Sequence, residues 1–158
     1  MEIDFTTTLR SEIPVFETTI RYLGGLLGAY DISGQQEKYH GLVDKAVELA
    51  EVLMGAFDTP TRAPVVYYQW QPQLAMLPKR GQDHVAMAEV GSLSLEFTRL
   101  AQLTGEHKYY DAVARVTEYF RKWQDETLIP GLFDLYVDAT GRALNRTHSV
   151  VASTDVDF

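Results

Sequence analysis

An all-α fold of tandem antiparallel helical hairpins, with a small β-hairpin near the C-terminus, is what this sequence predicts. Three observations carry that expectation. Apolar residues recur at alternating steps of three and four in four separate stretches, the signature of amphipathic helices. Two short turns, "ISGQQEKY" and "LTGEHKY", join these stretches in pairs, and short connections make paired helices antiparallel. The pairs also match each other, Val43, Ala46, Leu49 and Leu53 corresponding to Val113, Val116, Tyr119 and Trp123. A repeated hairpin of this kind stacks into an open solenoid or closes into a ring.

The first helix is expected over Phe16–Tyr30, with Ile13, Phe16, Ile20, Leu23, Leu27 and Tyr30 as its apolar stripe. Ser11 is placed to cap it, Pro14 fits a first turn where no N–H is needed, and Gly34 follows as its breaker. The second helix starts near Lys38, keeps Tyr39, Leu42, Ala46, Leu49, Leu53 and Phe57 in register, and stops at Asp58 and Pro60. From Thr59 to Asp83 the chain holds Pro60, Pro64, Pro72 and Pro78 and shows no helical period, although "VVYYQW" reads as a short strand. The third helix is expected over Val85–Leu103, with Val90, Leu93, Phe97 and Leu100 inward, and the fourth from Tyr109, with Val113, Val116, Phe120 and Trp123. After Pro130, "GLFDLYVDATGRALN" forms two short runs around "DATG", hence the β-hairpin.

Composition narrows the function. The 158 residues are 46% hydrophobic and carry a net charge of −8 without a basic run. Such a chain builds a real core and offers no electrostatic footprint for nucleic acid. No apolar run in the sequence reaches the length of a transmembrane span. Cysteine is absent, which removes thiolate chemistry and Cys-based metal sites, and His40, His84, His107 and His148 show no metal-ligand spacing.

The chemistry is concentrated in "FETTIRYLGGLLGAYDISG". At 100° per residue, Glu17, Arg21, Gly24 and Gly28 share one stripe beside the apolar face. Interior glycine costs a helix about 1 kcal/mol relative to alanine, so bare backbone here implies that something approaches closely. On spacing alone, Glu17 and Arg21 read first as an exposed i,i+4 ion pair, with the glycines receiving a neighbouring helix. Glu89, near the start of the third helix almost where Glu17 stands in the first, brings a second carboxylate to the same end, with Glu96 flanking its stripe. Convergent carboxylates with a guanidinium and nearby aromatics are the requirements of a sugar site. A peptide-binding helical scaffold is the competing class, and inward carboxylates argue against it.

The segments "VFETTIRYLGGLLGAYDISG", "KAVELAEVLMGAFDTPTRAP", "AEVGSLSLEFTRLAQLTGEHKY" and "PGLFDLYVDATG" together resemble class I α-1,2-mannosidases, glycoside hydrolase family 47, over about Glu12 to Gly141. The "YYQW" loop is similar to the fungal members. The resemblance implies a closed (α/α) toroid, removal of α-1,2-linked mannose from high-mannose N-glycans with inversion, a bound calcium ion, and residence in the secretory pathway. Carried over position by position, it implies Glu17 as the general acid, with Arg21 and Glu89 in the mannose pocket. A non-catalytic glycan-binding or sorting module of the same fold is the alternative it leaves. The general acid brings a tension: a helix N-terminus and Arg21 both favour the carboxylate form of Glu17, so neighbouring carboxylates and desolvation must oppose them.

The resemblance ends after the predicted β-hairpin. The family continues there with a glycine-rich segment and an aspartate, whereas this chain reads "NRTHSVVASTDVDF", with Asp155 or Asp157 near that position and no flanking glycines. The family's catalytic base and its C-terminal, calcium-holding threonine have no counterpart in this sequence. Residues 1–158 are therefore expected to be a single, partial catalytic domain with a divergent tail at 142–158, inactive alone and exposing apolar faces that a ring would cover. Asn145, Arg146 and Thr147 form an N-glycosylation sequon.

Overall fold

The computed structural model describes residues 3–5, 7–71, 78–82, 84–125, 127, 129, 132–133 and 135–140. The chain opens on a two-residue strand, β1 (Ile13–Pro14), and turns directly into a helical rod of three segments: α1 (Val15–Thr18), a π turn (Thr19–Leu23) and α2 (Gly24–Ile32). A 3₁₀ turn (Glu37–Tyr39) leads into α3 (Gly41–Met54), which tightens into a second 3₁₀ turn (Gly55–Phe57). Strand β2 (Tyr67–Tyr68) lies in the long connection, and β3 (Val85–Ala86) leads into α4 (Met87–Gly91). Then follow α5 (Ser94–Thr104), α6 (His107–Trp123) and β4 (Tyr136–Val137).

The two predicted hairpins are present. The rod packs on α3, and α5 on α6, with α5 also against α2, α3 and the π turn. Gly34 and Gly105 occupy equivalent turns at φ +74° and +75°, a left-handed conformation that glycine adopts without steric cost. Val43, Ala46, Val113 and Val116 are all buried, as the internal match requires.

Two features differ from the sequence expectation. Up to the start of the π turn, the buried residues of the rod are Val15 and Thr19, while Phe16 and Ile20, the latter within the turn, are only partly covered. A π turn inserts an extra residue, so a uniform 3.6-residue period traced back from Leu23 and Leu27 lands one position off. The third helix is not continuous over Val85–Leu103. Val85 and Ala86 are strand, and the helix breaks at Ser92 and Leu93 before resuming at Ser94.

Two small antiparallel sheets clasp the helix starts. Ile13 faces Tyr68 and Pro14 faces Tyr67 in one, while Val85 faces Val137 and Ala86 faces Tyr136 in the other. The first bears out the strand expected in "VVYYQW". In the second, Tyr136–Val137, the first run of the expected β-hairpin, pairs with β3; the second run of that hairpin lies outside the described residues.

The core lies at the seam between the hairpins, where Leu23, Leu53, Phe97 and Leu100 are wholly buried. Phe97 meets Phe57 edge-on at 5.4 Å between centroids and Tyr109 at 6.4 Å. Tyr109, itself buried, donates its hydroxyl proton to Glu51 of α3, which Lys108 also contacts at 2.7 Å. Burial, then that bond and the Glu51 charge, push the Tyr109 phenol well above its ordinary range, so it stays a donor. Tyr109→Phe removes the cross-hairpin bond at nearly constant volume. A loss of about 1 kcal/mol is expected, since Lys108 still satisfies the half-exposed Glu51. Urea unfolding followed by circular dichroism measures it, and an unchanged midpoint would place this contact outside the seam. On the outer faces, Ile32 and Leu95 remain 90% and 77% exposed.

Candidate active site

Each inner helix begins the same way. Pro14 of β1 is the N-cap of α1, and Ala86 of β3 is the N-cap of α4. The N–H of Val15 donates to Val66 O at 2.9 Å, and the N–H of Met87 to Leu135 O at 3.0 Å. These bonds fix the angle at which each helix leaves its strand. Glu17 and Glu89 are therefore equivalent residues, each in the first turn of its helix.

Their surroundings diverge for a local reason. Glu89 stands three residues after its N-cap, and its carboxylate accepts from the Ala86 N–H, the reach-back half of a capping box. Glu17 stands at the same place after Pro14, which has no N–H to give. Its carboxylate turns instead along the helix and accepts from Arg21 Nε. The pair is open to solvent, with the Arg21 and Glu17 side chains 70% and 45% exposed. The Glu17 hydrogen bond and charge hold the Arg21 guanidinium above its already high range, so Arg21 is a permanent cation.

Glu89 is half-buried, and burial raises its carboxyl above the ordinary range. The Ala86 N–H opposes that shift and the negative charge of Glu17 adds to it. Glu17 and Glu89 thus act on one another electrostatically across the packed starts of α1 and α4. Glu17 and Arg21 line a cleft of about 550 Å³ with Phe5, Arg10, Glu12 and Tyr22. Glu89 is outside that lining, so the three predicted residues adjoin without sharing one pocket.

Of the aromatic residues in the long connection, Tyr68 is buried in the core and Trp70 donates Nε1–H to Arg10 O at 2.8 Å, while Tyr67 stays exposed. Packing therefore accounts for Tyr68 and Trp70. Among the glycines, Gly24 alone of the inner three meets a neighbour, the side chain of Glu96, while Gly25 and Gly28 have open space around them. Sequence reasoning missed the tie at the far end of the rod, where Arg99 of α5 forks onto Asp31 at 2.8 and 2.5 Å. The two lie far apart in sequence, and no periodicity connects them.

The described residues contain no group of three or more His, Asp or Glu side chains able to hold a metal ion. The donor set among the described residues does not fit calcium. Asp155 and Asp157 lie outside the described residues.

Paired helical hairpins thus bring two carboxylates and a guanidinium to one end of their inner helices in an all-α architecture. A family model for glycosyl hydrolase family 47 matches residues 1–157. The chain belongs to glycosyl hydrolase family 47. It is 35% identical to mannosyl-oligosaccharide 1,2-alpha-mannosidase IB of Mus musculus, over 89% of this chain and 21% of that protein. It is 34% identical to the mannosyl-oligosaccharide alpha-1,2-mannosidase of Penicillium citrinum, over 82% of this chain and 26% of that protein. The solved alpha-1,2-mannosidase from Trichoderma reesei superposes with a TM-score of 0.70 at 33% identity, covering 87% of this chain and 30% of that one. The chain thus spans about a fifth to a quarter of the length of these curated relatives, and its architecture is a segment of their fold.

Proposed function

We propose that this chain forms part of an inverting α-1,2-mannosidase acting on high-mannose N-glycans, with Glu17 as general acid and Arg21 and Glu89 as mannose-binding residues. One observation supports this reading above the others: Glu17 and Glu89 stand in the first turns of two inner helices whose starts pack together, the Glu17 charge adding a small upward push to Glu89. The activity for which the relatives are named agrees with it. In an inverting reaction the acid protonates the leaving oxygen while a base activates water on the opposite face of the ring. Glu17, at the mouth of the cleft, is placed to meet an oxygen arriving from solvent. Arg21 offers fixed donors to sugar hydroxyls, and half-buried Glu89 accepts from others. The single partial domain, the luminal setting of the secretory pathway and the family's calcium belong to the same proposal, the calcium being held by groups outside the described residues. Relatives named for the endoplasmic reticulum support the compartment.

A second reading has its own observation. The Glu17 carboxylate already accepts from Arg21 Nε and does not stand free for a leaving oxygen. In the 158-residue chain that pairing favours glycan binding over turnover. Titration of the chain with α-1,2-mannobiose, followed by heteronuclear NMR, tests both. Binding of about millimolar strength is expected, with the largest shift changes around Glu17, Arg21 and Glu89. Arg21→Ala is expected to weaken it about tenfold, the value of a lost charge-assisted hydrogen bond. Perturbations confined to the opposite end of the helices would overturn the site.

A further inference from the structure

Glu96 stands as far beyond Glu89 as Gly24 stands beyond Glu17, about two helical turns on each inner helix. The two residues meet there. A Cβ at Gly24 would lie 3.3 Å from Glu96 Oε1 and 3.4 Å from its Cγ, so the carboxyl packs close against the bare backbone there and any larger residue would press on it. Its Oε2 is buried with no hydrogen-bond partner among the described residues.

Several charged groups on the elements packed against α5 are engaged with other partners, and no described residue gives Glu96 Oε2 a hydrogen bond. On the rod, Arg21 donates to Glu17, and Asp31 takes Arg99. Arg99, one turn along α5 from Glu96, is spent on Asp31 and on Gln102 at 3.0 Å. On α3, Lys45 contacts Glu48 at 2.7 Å, while Glu51 holds Lys108 and Tyr109 of α6. A buried carboxylate with a bare oxygen and no cation is costly, and the neutral acid is the cheaper occupant.

We propose that Glu96 is a positioning residue, an uncharged carboxyl seated on the bare backbone at Gly24 that sets the spacing of Glu17 and Glu89 two turns away. Burial supports this by raising its titration above the ordinary carboxylate range, with only its own backbone N–H opposing. The sign for stability follows. A carboxyl raised in the folded state stabilises fully below the unfolded value, and that contribution is lost as pH rises through the folded one. The inference rests on reading Glu17 and Glu89 as the site carboxylates, and its test is independent of glycan.

The test is a carboxyl ¹³C titration of the glutamate-labelled 158-residue chain, with signals assigned through Glu89→Gln and Glu96→Gln. Glu96 is expected to titrate above the ordinary glutamate range. Glu96→Gln keeps the shape without the charge, so it should leave the Glu89 midpoint in place and raise the melting midpoint at pH 7 but not at pH 4. Glu96→Ala removes the spacer and should move the Glu89 midpoint down by about half a pH unit or more as water enters. Where Glu96→Ala fails to fold, Glu96→Asp, one methylene shorter, takes its place. A purely electrostatic influence would make the Gln and Ala variants alike, and that result overturns the proposal. So does an ordinary titration of Glu96. If Glu96 behaves as stated and mannobiose still fails to bind, the glycan reading alone falls.

Discussion

Glu17→Gln, made in a polypeptide that carries this chain at the length of its relatives, is expected to lower mannose release by about three orders of magnitude or more. A positioned general acid contributes roughly 10²–10⁴ in rate, and removing one member of an acid–base pair forfeits its cooperation with the other. Binding should survive within a few-fold, because glutamine keeps the shape of Glu17 and can still contact Arg21. The pH profile gives the finer check. The alkaline limb that reports loss of the acid's proton should vanish with Glu17, leaving residual activity flat on that side. Turnover from α-1,2-mannobiose, compared with binding of the same sugar, separates the outcomes. Equal losses in both would make Glu17 a binding residue and move the acid elsewhere. The 158-residue chain is itself expected to release no mannose, with or without calcium. Inversion needs a second carboxylate about 6.5–9.5 Å from the first with water between. Glu89, the carboxylate coupled to Glu17, is committed to capping Ala86.

Much of the fold was legible because its signals are local. The step of three and four, the glycine turns and the internal match define hairpins, and Gly34 and Gly105 take up the equivalent left-handed turns that their repeat positions imply. What escaped was set by contacts between distant segments. The π turn from Thr19 to Leu23 leaves no mark in residue type, yet it rotates Val15 and Thr19 into the core in place of Phe16 and Ile20. Tyr136–Val137 pairs with β3, about fifty positions earlier, a contact that no local signal announces. The site was half legible. Family resemblance pointed to Glu17, Arg21 and Glu89, and the structure adds a reason for their different states, the missing N–H of Pro14. Glu96 carried a signal that sequence reasoning passed over, its offset from Glu89 being that of Gly24 from Glu17.

Phe97→Ala is the substitution expected to cost the most stability. The ring is completely buried on α5. It touches Phe57, at the end of α3, edge-on at 5.4 Å, and Tyr109, at the start of α6, at 6.4 Å. One side chain therefore joins both hairpins. Deleting a buried phenyl ring costs about 3–5 kcal/mol, in transfer energy and in the cavity left behind. Each aromatic contact adds about 0.5–1.5 kcal/mol within such a total. A domain of this size has about 5–15 kcal/mol in all, so the variant should unfold at far lower urea and, at the lower end of that range, populate unfolded chain in buffer. Phe97→Leu, which refills most of the volume, should recover about half of the loss. The control lies on the same helix: Leu95 is 77% exposed, and Leu95→Ala should change stability by no more than about 0.5 kcal/mol. Urea midpoints by circular dichroism decide between them. Comparable losses at Phe97 and Leu95 would mean that the two hairpins do not meet along the seam that Phe97 occupies.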